Sequence, residues 1–266
     1  MMSNSPLICY TKISPNRNSP RNHVIDTITI HCMAGNCSIE TCGEVFYPTS
    51  RGASSNYGIG SDGRIAMYVE EKDRSWCTSS KSNDNRAITI EVANDGGADT
   101  GWHISDAAYK SLINLCVDIC KRNNIKELKW KGDKSLIGQV DKQNMTVHRW
   151  FAAKDCPGDY LYNLHGQIAA EVNARLGVKA QTIQNGTKTE NKANSITVQG
   201  KAVSVPFIAR VIVSDLNYRS KPSMKGKVLG QTGKGSFTIV EVSNGWGKLK
   251  SGAGWIYLEN PKYCTI

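Results

Sequence analysis

Two stretches of strict alternation stand out in the first half of the chain. From Thr27 to Cys32, Ile28 and Ile30 alternate with Thr29 and His31; from Ala87 to Ala93, Ile88, Ile90 and Val92 alternate with Thr89 and Glu91. A period of two belongs to a β-strand, whose successive side chains point to opposite faces. Set side by side in one sheet with the apolar residues on one side, the two strands project His31 and Glu91 from the other. A different period follows. Leu112, Leu115, Cys116, Ile119 and Cys120 recur at helical spacing behind Ser105, a side chain able to cap, so a helix is predicted from Ser105 to Asn123. On that stripe Cys116 and Cys120 read as core, because a thiol packs as a small hydrophobe. A second helix is predicted from about Asp159 to Leu176, with Leu161, Leu164, Ile168 and Val172 on one face and Gly177 as its stop. Together these elements predict an α/β domain, a mixed central sheet flanked by helices.

The texture changes after Val178. The run VKAQTIQNGTKTENKANSITVQGKAV is polar and has no aromatic residue, the composition of a flexible linker or a lightly structured connector. Beyond it come short strands divided by Gly and Pro, which predict a small all-β barrel of about 60 residues. The expected organisation is a first domain over residues 1–178, a linker over 179–203 and a second domain over 204–266.

Composition narrows the classes. At 266 residues the chain can bury a proper core without staples. Its nine cysteines are odd in number and scattered, unlike the dense even spacing of a secreted disulfide scaffold, and most are expected to be reduced. The opening MMSNSPLICYTKISPNRNSPRN has no apolar h-region, so synthesis in the cytoplasm without a Sec signal is expected. No stretch approaches the run of about 18 apolar residues that spans a membrane. The net charge of +10 is lopsided: residues 1–178 hold 20 Lys+Arg against 19 Asp+Glu, residues 179–266 hold 13 against 4. A basic second module suits an extended anionic partner, whether nucleic acid, membrane surface or acidic wall polymer, and charge alone does not choose.

Candidate chemistry gathers in TVHRWFAAKDCPGDY, residues 146–160, where His148, Lys154 and Cys156 precede the turn at Pro157 and Gly158. Taken alone, the segment also reads as a packed thiol and a satisfied imidazole. With His31 the set becomes two imidazoles and a thiol, three ligands suited to tetrahedral Zn2+ with a fourth position open for water. Cys156 stands just ahead of the predicted second helix, where a thiolate is favoured.

Four runs carry a resemblance that covers roughly residues 7 to 176: ITIHCMAG, ASSNYGIGSDGRIAMYVEEKDRSW, NRAITIEVAN and TVHRWFAAKDCPGDYL. In this order they resemble the zinc-dependent N-acetylmuramoyl-L-alanine amidase family, amidase type 2, which is shared with the peptidoglycan recognition proteins. The resemblance implies His31, His148 and Cys156 as zinc ligands. It implies Glu91 as the acidic residue near the metal, Tyr57 as the active-site tyrosine and Lys154 as the catalytic lysine of part of the family. It departs at Cys77, which follows Trp76 where many relatives carry His.

The second module, with LNYRSKPS, KVLGQTGKGS, SNGWGKL and GWIYLE in that order, resembles the bacterial SH3 domain, a wall-binding module. Its candidate wall-binding residues are Tyr218, Arg219, Trp246 and Tyr257; Trp255 reads equally as groove or core. The expected function is a peptidoglycan hydrolase, an endolysin or autolysin acting on a Gram-positive wall, with no nucleic-acid partner and no membrane span. The alternatives are a non-catalytic peptidoglycan-binding protein, expected to lack the ligand cysteine, and a Cys/His wall endopeptidase, whose nucleophile usually precedes its histidine.

Overall fold

The alternating segments pair as neighbours in register. The computed structural model describes residues 4–178, 196–203 and 205–266, and the chain forms two compact units, Met1–Thr182 and Ile183–Ile266. In the first unit strands β1 (Tyr10–Thr11), β2 (Thr27–Cys32), β3 (Tyr57–Ile59), β4 (Ile65–Met67), β5 (Ala87–Val92) and β6 (Met145–Thr146) make one sheet in the order β1-β4-β3-β5-β2-β6. The β3–β4 pair is antiparallel and the other neighbours are parallel, so the sheet is mixed. His31 lies directly beside Glu91 across β2 and β5.

Four helices cover the sheet: α1 (Ile39–Phe46), α2 (Lys81–Arg86), α3 (Asp106–Arg122) and α4 (Gly158–Leu176). Ser105 caps α3 by accepting the Ala108 N–H at 3.1 Å, and Leu112, Leu115, Cys116, Ile119 and Cys120 are all fully buried, as their spacing predicts. They meet Ile28, Ile30, Ile88, Ile90 and the α4 residues Leu161, Ile168 and Val172 in one core. On the other face α1 packs Ile39, Cys42 and Phe46 against Ala66 and Tyr68. Gly58 makes that contact possible, since a Cβ there would stand 2.5 Å from the Tyr68 ring.

Covering both faces changes the meaning of the alternation. Thr29, His31 and Thr89 have no solvent exposure, so the polar side of these strands is interior, and its groups must satisfy one another.

The second unit has a hairpin, β7 (Ile196–Val198) with β8 (Lys201–Val203), and strands β9 (Phe207–Val211), β10 (Asn217–Arg219), β11 (Val228–Gln231), β12 (Gly235–Ser243), β13 (Trp246–Leu249), β14 (Trp255–Tyr257) and β15 (Cys264–Thr265). The last seven form one sheet, β11-β10-β14-β13-β12-β9-β15, with every pair antiparallel. Of the expected linker, residues 179–195 lie outside the described residues, while 196–203 are structured. Val198 enters the core with Ala209, Ile239, Leu249 and Ile256, and the Gln199 side-chain amide donates to the carbonyls of Leu258 and Cys264 at 2.6 and 2.8 Å. One buried valine in a polar run is too faint a pattern for a strand to be read from sequence.

Candidate active site

The polar side of β2, β5 and β6 forms the floor of the site. Thr146 lies beside Thr29, and their hydroxyls are 2.7 Å apart. Asn83 of α2 closes a triangle: its amide NH2 donates to Thr29 Oγ1 at 3.1 Å and its amide oxygen accepts the Thr146 hydroxyl at 3.0 Å. Each threonine stands two residues before a histidine, so this buried clamp fixes β6, only two residues long, against β2 where both strands deliver a ring. His31 is the penultimate residue of β2, and His148 opens the short 3-10 turn His148–Trp150 after β6. Their ring centroids are 5.1 Å apart.

Cys156 reaches the same point from the turn before α4. Gly158 makes this turn with φ of +81°, and a Cβ there would come within 2.7 Å of the Gly101 carbonyl, so the position calls for glycine. The Cys156 Sγ is 3.3 Å from His31 Nδ1 and accepts the Cys32 N–H at 3.4 Å. Ligand atoms from His31, His148 and Cys156 all lie within 4.8 Å of one another. A tetrahedral zinc with bonds of about 2.1 Å to nitrogen and 2.3 Å to sulfur separates adjacent ligands by about 3.4–3.6 Å, so the cluster could hold that ion. Two further observations fit. The Nε2 atoms of His31 and His148 are buried without a hydrogen-bond partner, and burial holds both imidazoles below their ordinary pKa, neutral as ligands must be. The hydrogen bond with the Cys32 thiol and then burial push the Cys156 thiol up, so without a cation it keeps its proton.

Glu91 adds a carboxyl 3.9 Å from His31 Nδ1 and 3.9 Å from the Cys77 Sγ. Its Oε2 is buried without a partner. Burial, and next the Cys32 thiol, push this carboxyl up to about 8, against the pull of the Arg51 guanidinium. A carboxyl in that range can take up and release a proton near neutral pH. Glu91, His148, Lys154 and Cys156 line one cavity of about 320 Å3 with Arg51, Trp76 and Cys77. His148, Lys154, Arg51, Trp76 and Cys77 also line an adjoining cavity of about 710 Å3, so the two are lobes of one groove.

The structure thus gathers His31, His148, Cys156, Glu91 and Lys154, but not Tyr57. Tyr57 pairs with Ile90, not Glu91, and therefore points to the opposite side of the sheet. There it is fully buried, donating to Glu71 Oε1 at 2.6 Å and accepting the Ser5 N–H at 2.9 Å. The position beside Glu91 on β3 belongs to Gly58, which has no side chain to offer. Among residues that sequence reasoning did not select, Thr146 carried a signal, since Thr146–His148 repeats the two-residue step of Thr29–His31, whereas Asn83 carried none. Nor did Arg51, at the end of the short 3-10 turn Thr49–Arg51.

In the second unit Trp246 and Tyr257, with rings 5.3 Å apart, line a cavity of about 550 Å3 together with Arg219, Met224 and Tyr263. Tyr218 is excluded from it, because neighbours along a strand alternate. Its ring packs on the core, close enough to Gly230 that a Cβ there would meet its hydroxyl at 2.4 Å. Trp255 lies in neither place; the Lys248 ammonium sits 5.7 Å above its ring.

All nine cysteines are free thiols, and among the described residues no helix is long and apolar enough to cross a membrane. No curated protein matches the chain. Among solved structures it is similar to the endolysin N-acetylmuramoyl-L-alanine amidase LysCS from Clostridium intestinale, with 19% identity and a TM-score of 0.43 over 67% of this chain and 100% of that one. It is also similar to a mutant endolysin from Bacillus subtilis, with 18% identity and a TM-score of 0.44 over 61% of this chain and 97% of that one. Residues 21–159, more than half of the sequence and containing the whole His31, Glu91, His148 and Cys156 cluster, match the N-acetylmuramoyl-L-alanine amidase family, and the chain belongs to that family.

Proposed function

We propose that this protein hydrolyses the amide bond between N-acetylmuramic acid and L-alanine in the peptidoglycan of a Gram-positive wall, as an endolysin or autolysin. The observation that carries this reading is the convergence of two neutral imidazoles, a thiol and a carboxyl with one buried, unpartnered oxygen at the groove. His31, His148 and Cys156 would hold zinc, which when bound supplies a Lewis acid and acidifies a water molecule. Glu91 accepts the proton of the attacking water and returns it to the departing alanine nitrogen. Lys154, exposed at the groove, donates to the carbonyl oxygen as negative charge develops on it, a contribution of about 3 kcal/mol for a well-placed donor. Retention of Cys156 together with Glu91 favours hydrolysis over a purely binding role.

Residues 1–178 are accordingly assigned as the catalytic domain. The basic second module, resembling a bacterial SH3 domain, is assigned to wall binding through the cleft of Arg219, Trp246 and Tyr257, without Tyr218.

Digestion of purified walls tests the reaction. New L-alanine amino termini without new reducing sugars are the expected products, and reducing sugars alone would overturn the reading. Chelation should stop the reaction and added zinc restore it, whereas a thiol endopeptidase would instead yield to alkylation.

The Asn83 clamp gives a separate expectation. Removing it in Asn83→Ala should weaken zinc binding about ten- to a hundredfold, as loss of a group that orients metal ligands does. Competition with a chromophoric chelator reads this directly. Unchanged zinc affinity beside a lowered melting temperature would leave Asn83 a purely structural residue.

A further inference from the structure

The two lobes of the groove differ in character. Beyond the residues they share, the smaller lobe continues onto Met33, Val45 and Phe46, an apolar wall. The larger continues onto Arg74, Lys81 and Asp84, so that four cations, counting Arg51 and Lys154, face it with one acid. That acid is engaged: Asp84 accepts the Cys77 N–H at 3.1 Å and the Thr78 hydroxyl at 2.6 Å. Arg74 is engaged too, donating to the Asn18 side chain. Arg51 and Lys81 are exposed, and among the described residues neither has a carboxylate partner within ion-pair distance. The larger lobe therefore holds uncompensated positive charge in a concave site, where low-dielectric walls focus the field. Arg51 and Lys81 line this lobe together, and a guanidinium fork and an ammonium on the wall of one cleft suit a planar anion, above all a carboxylate.

The reaction puts such an anion nearby. The scissile nitrogen belongs to L-alanine, and the second residue of the peptide stem begins one peptide unit further on, about 3.8 Å between successive α-carbons. Where that residue is a glutamate joined through its side chain, its α-carboxyl stays free and charged unless it is amidated. The acetylated sugar on the other side of the bond is neutral and suits the apolar lobe.

We propose that Arg51 and Lys81 form a carboxylate-binding subsite in the larger lobe, and that it makes the enzyme prefer stems whose second residue keeps a free α-carboxylate over stems in which that group is an amide. The proposal rests on the amidase reading and goes beyond it by orienting the substrate, stem in the basic lobe and sugar in the apolar one.

Two muropeptides differing only in carboxylate or carboxamide at that position test it on the full chain supplied with zinc. Values of kcat/KM are compared for the pair, and calorimetric Kd values for the two corresponding free stem peptides, which no turnover can consume. The expected preference is roughly tenfold for the carboxylate in both measurements, the usual yield of a charge-assisted hydrogen bond. Arg51→Gln and Lys81→Gln should each bring the kcat/KM ratio toward one. Both positions are exposed, so folding is not at stake, and the wild-type comparison stands without them. Equal kcat/KM and equal Kd for the two forms, or a preference that survives both substitutions, would overturn the subsite. Preferential binding of the carboxylate stem with hydrolysis of neither muropeptide would instead sink the amidase reading and leave the subsite standing.

Discussion

Cys156→Ser is expected to lower wall hydrolysis by roughly three orders of magnitude or more, because the proposed chemistry needs a metal-activated water and the site would keep only two strong ligands for the metal. Serine occupies the same space with an oxygen far less acidic than a thiol, so it does not supply the anionic ligand that a bound dication needs. The accompanying loss is thermodynamic as well as catalytic. A ligand that binds only the folded state raises its stability in proportion to the logarithm of ligand concentration over Kd. The melting temperature of the wild-type chain should therefore climb with added zinc, while that of the variant should stay nearly flat. Metal analysis after dialysis should give about one zinc per wild-type chain and a small fraction of that for the variant. A variant with full zinc content and a wild-type titration would remove Cys156 from the ligand set. Circular dichroism guards the comparison, since Cys156 packs only at the margin of the core.

Much of this cluster was legible because a strand writes its faces into the sequence with a period of two. His31 and Glu91 sit at equivalent positions of two alternating segments, and parallel pairing brought them side by side. Tyr57 shows where that reading ends. The run SNYGIG has its own alternation, but which of its faces meets Glu91 depends on the pairing register, a non-local fact, and a slip of one residue moves every side chain to the other face. Register pairs Tyr57 with Ile90, and the resemblance that suggested an active-site tyrosine could not see it. Tyr218 and Arg219 in the second unit are a different case: they are successive on one strand, so alternation lets only one of them, Arg219, reach the cleft. Arg51 and Lys81 lie further from sequence reach, because a lone cation at the end of a three-residue turn or at the start of a six-residue helix belongs to no period. Its role comes from the lobe around it and from the missing carboxylates.

The place Tyr57 does occupy sets up the largest expected effect on stability. Glu71, which has no solvent exposure, accepts the Tyr57 hydroxyl at 2.6 Å, both terminal nitrogens of Arg122 at 2.8 and 2.6 Å, and the Asn123 side-chain amide at 3.1 Å. Its own N–H donates to the Asn4 side chain at 2.9 Å. One carboxylate thus ties the loop after β4, the buried face of β3 and the last turn of α3. In Glu71→Ala the guanidinium keeps Asp118 at 2.8 Å but loses its two-pronged partner, and the Tyr57 hydroxyl is left buried with no acceptor. Breaking a buried, hydrogen-bonded ion pair from one side costs about 3–5 kcal/mol. For a unit of this size that is a fall of about 10 °C in melting temperature. Glu71→Gln, which keeps the shape and one acceptor, should cost about 1–3 kcal/mol. Urea unfolding of the three chains measures the series, and a loss below about 1 kcal/mol for Glu71→Ala would show that the network holds nothing together. Tyr57→Phe then separates the two assignments of the tyrosine. As a core residue it should lose about 1 kcal/mol of stability and leave kcat and zinc affinity where they were. A donor to the developing oxyanion would instead cost about a hundredfold or more in kcat with stability untouched.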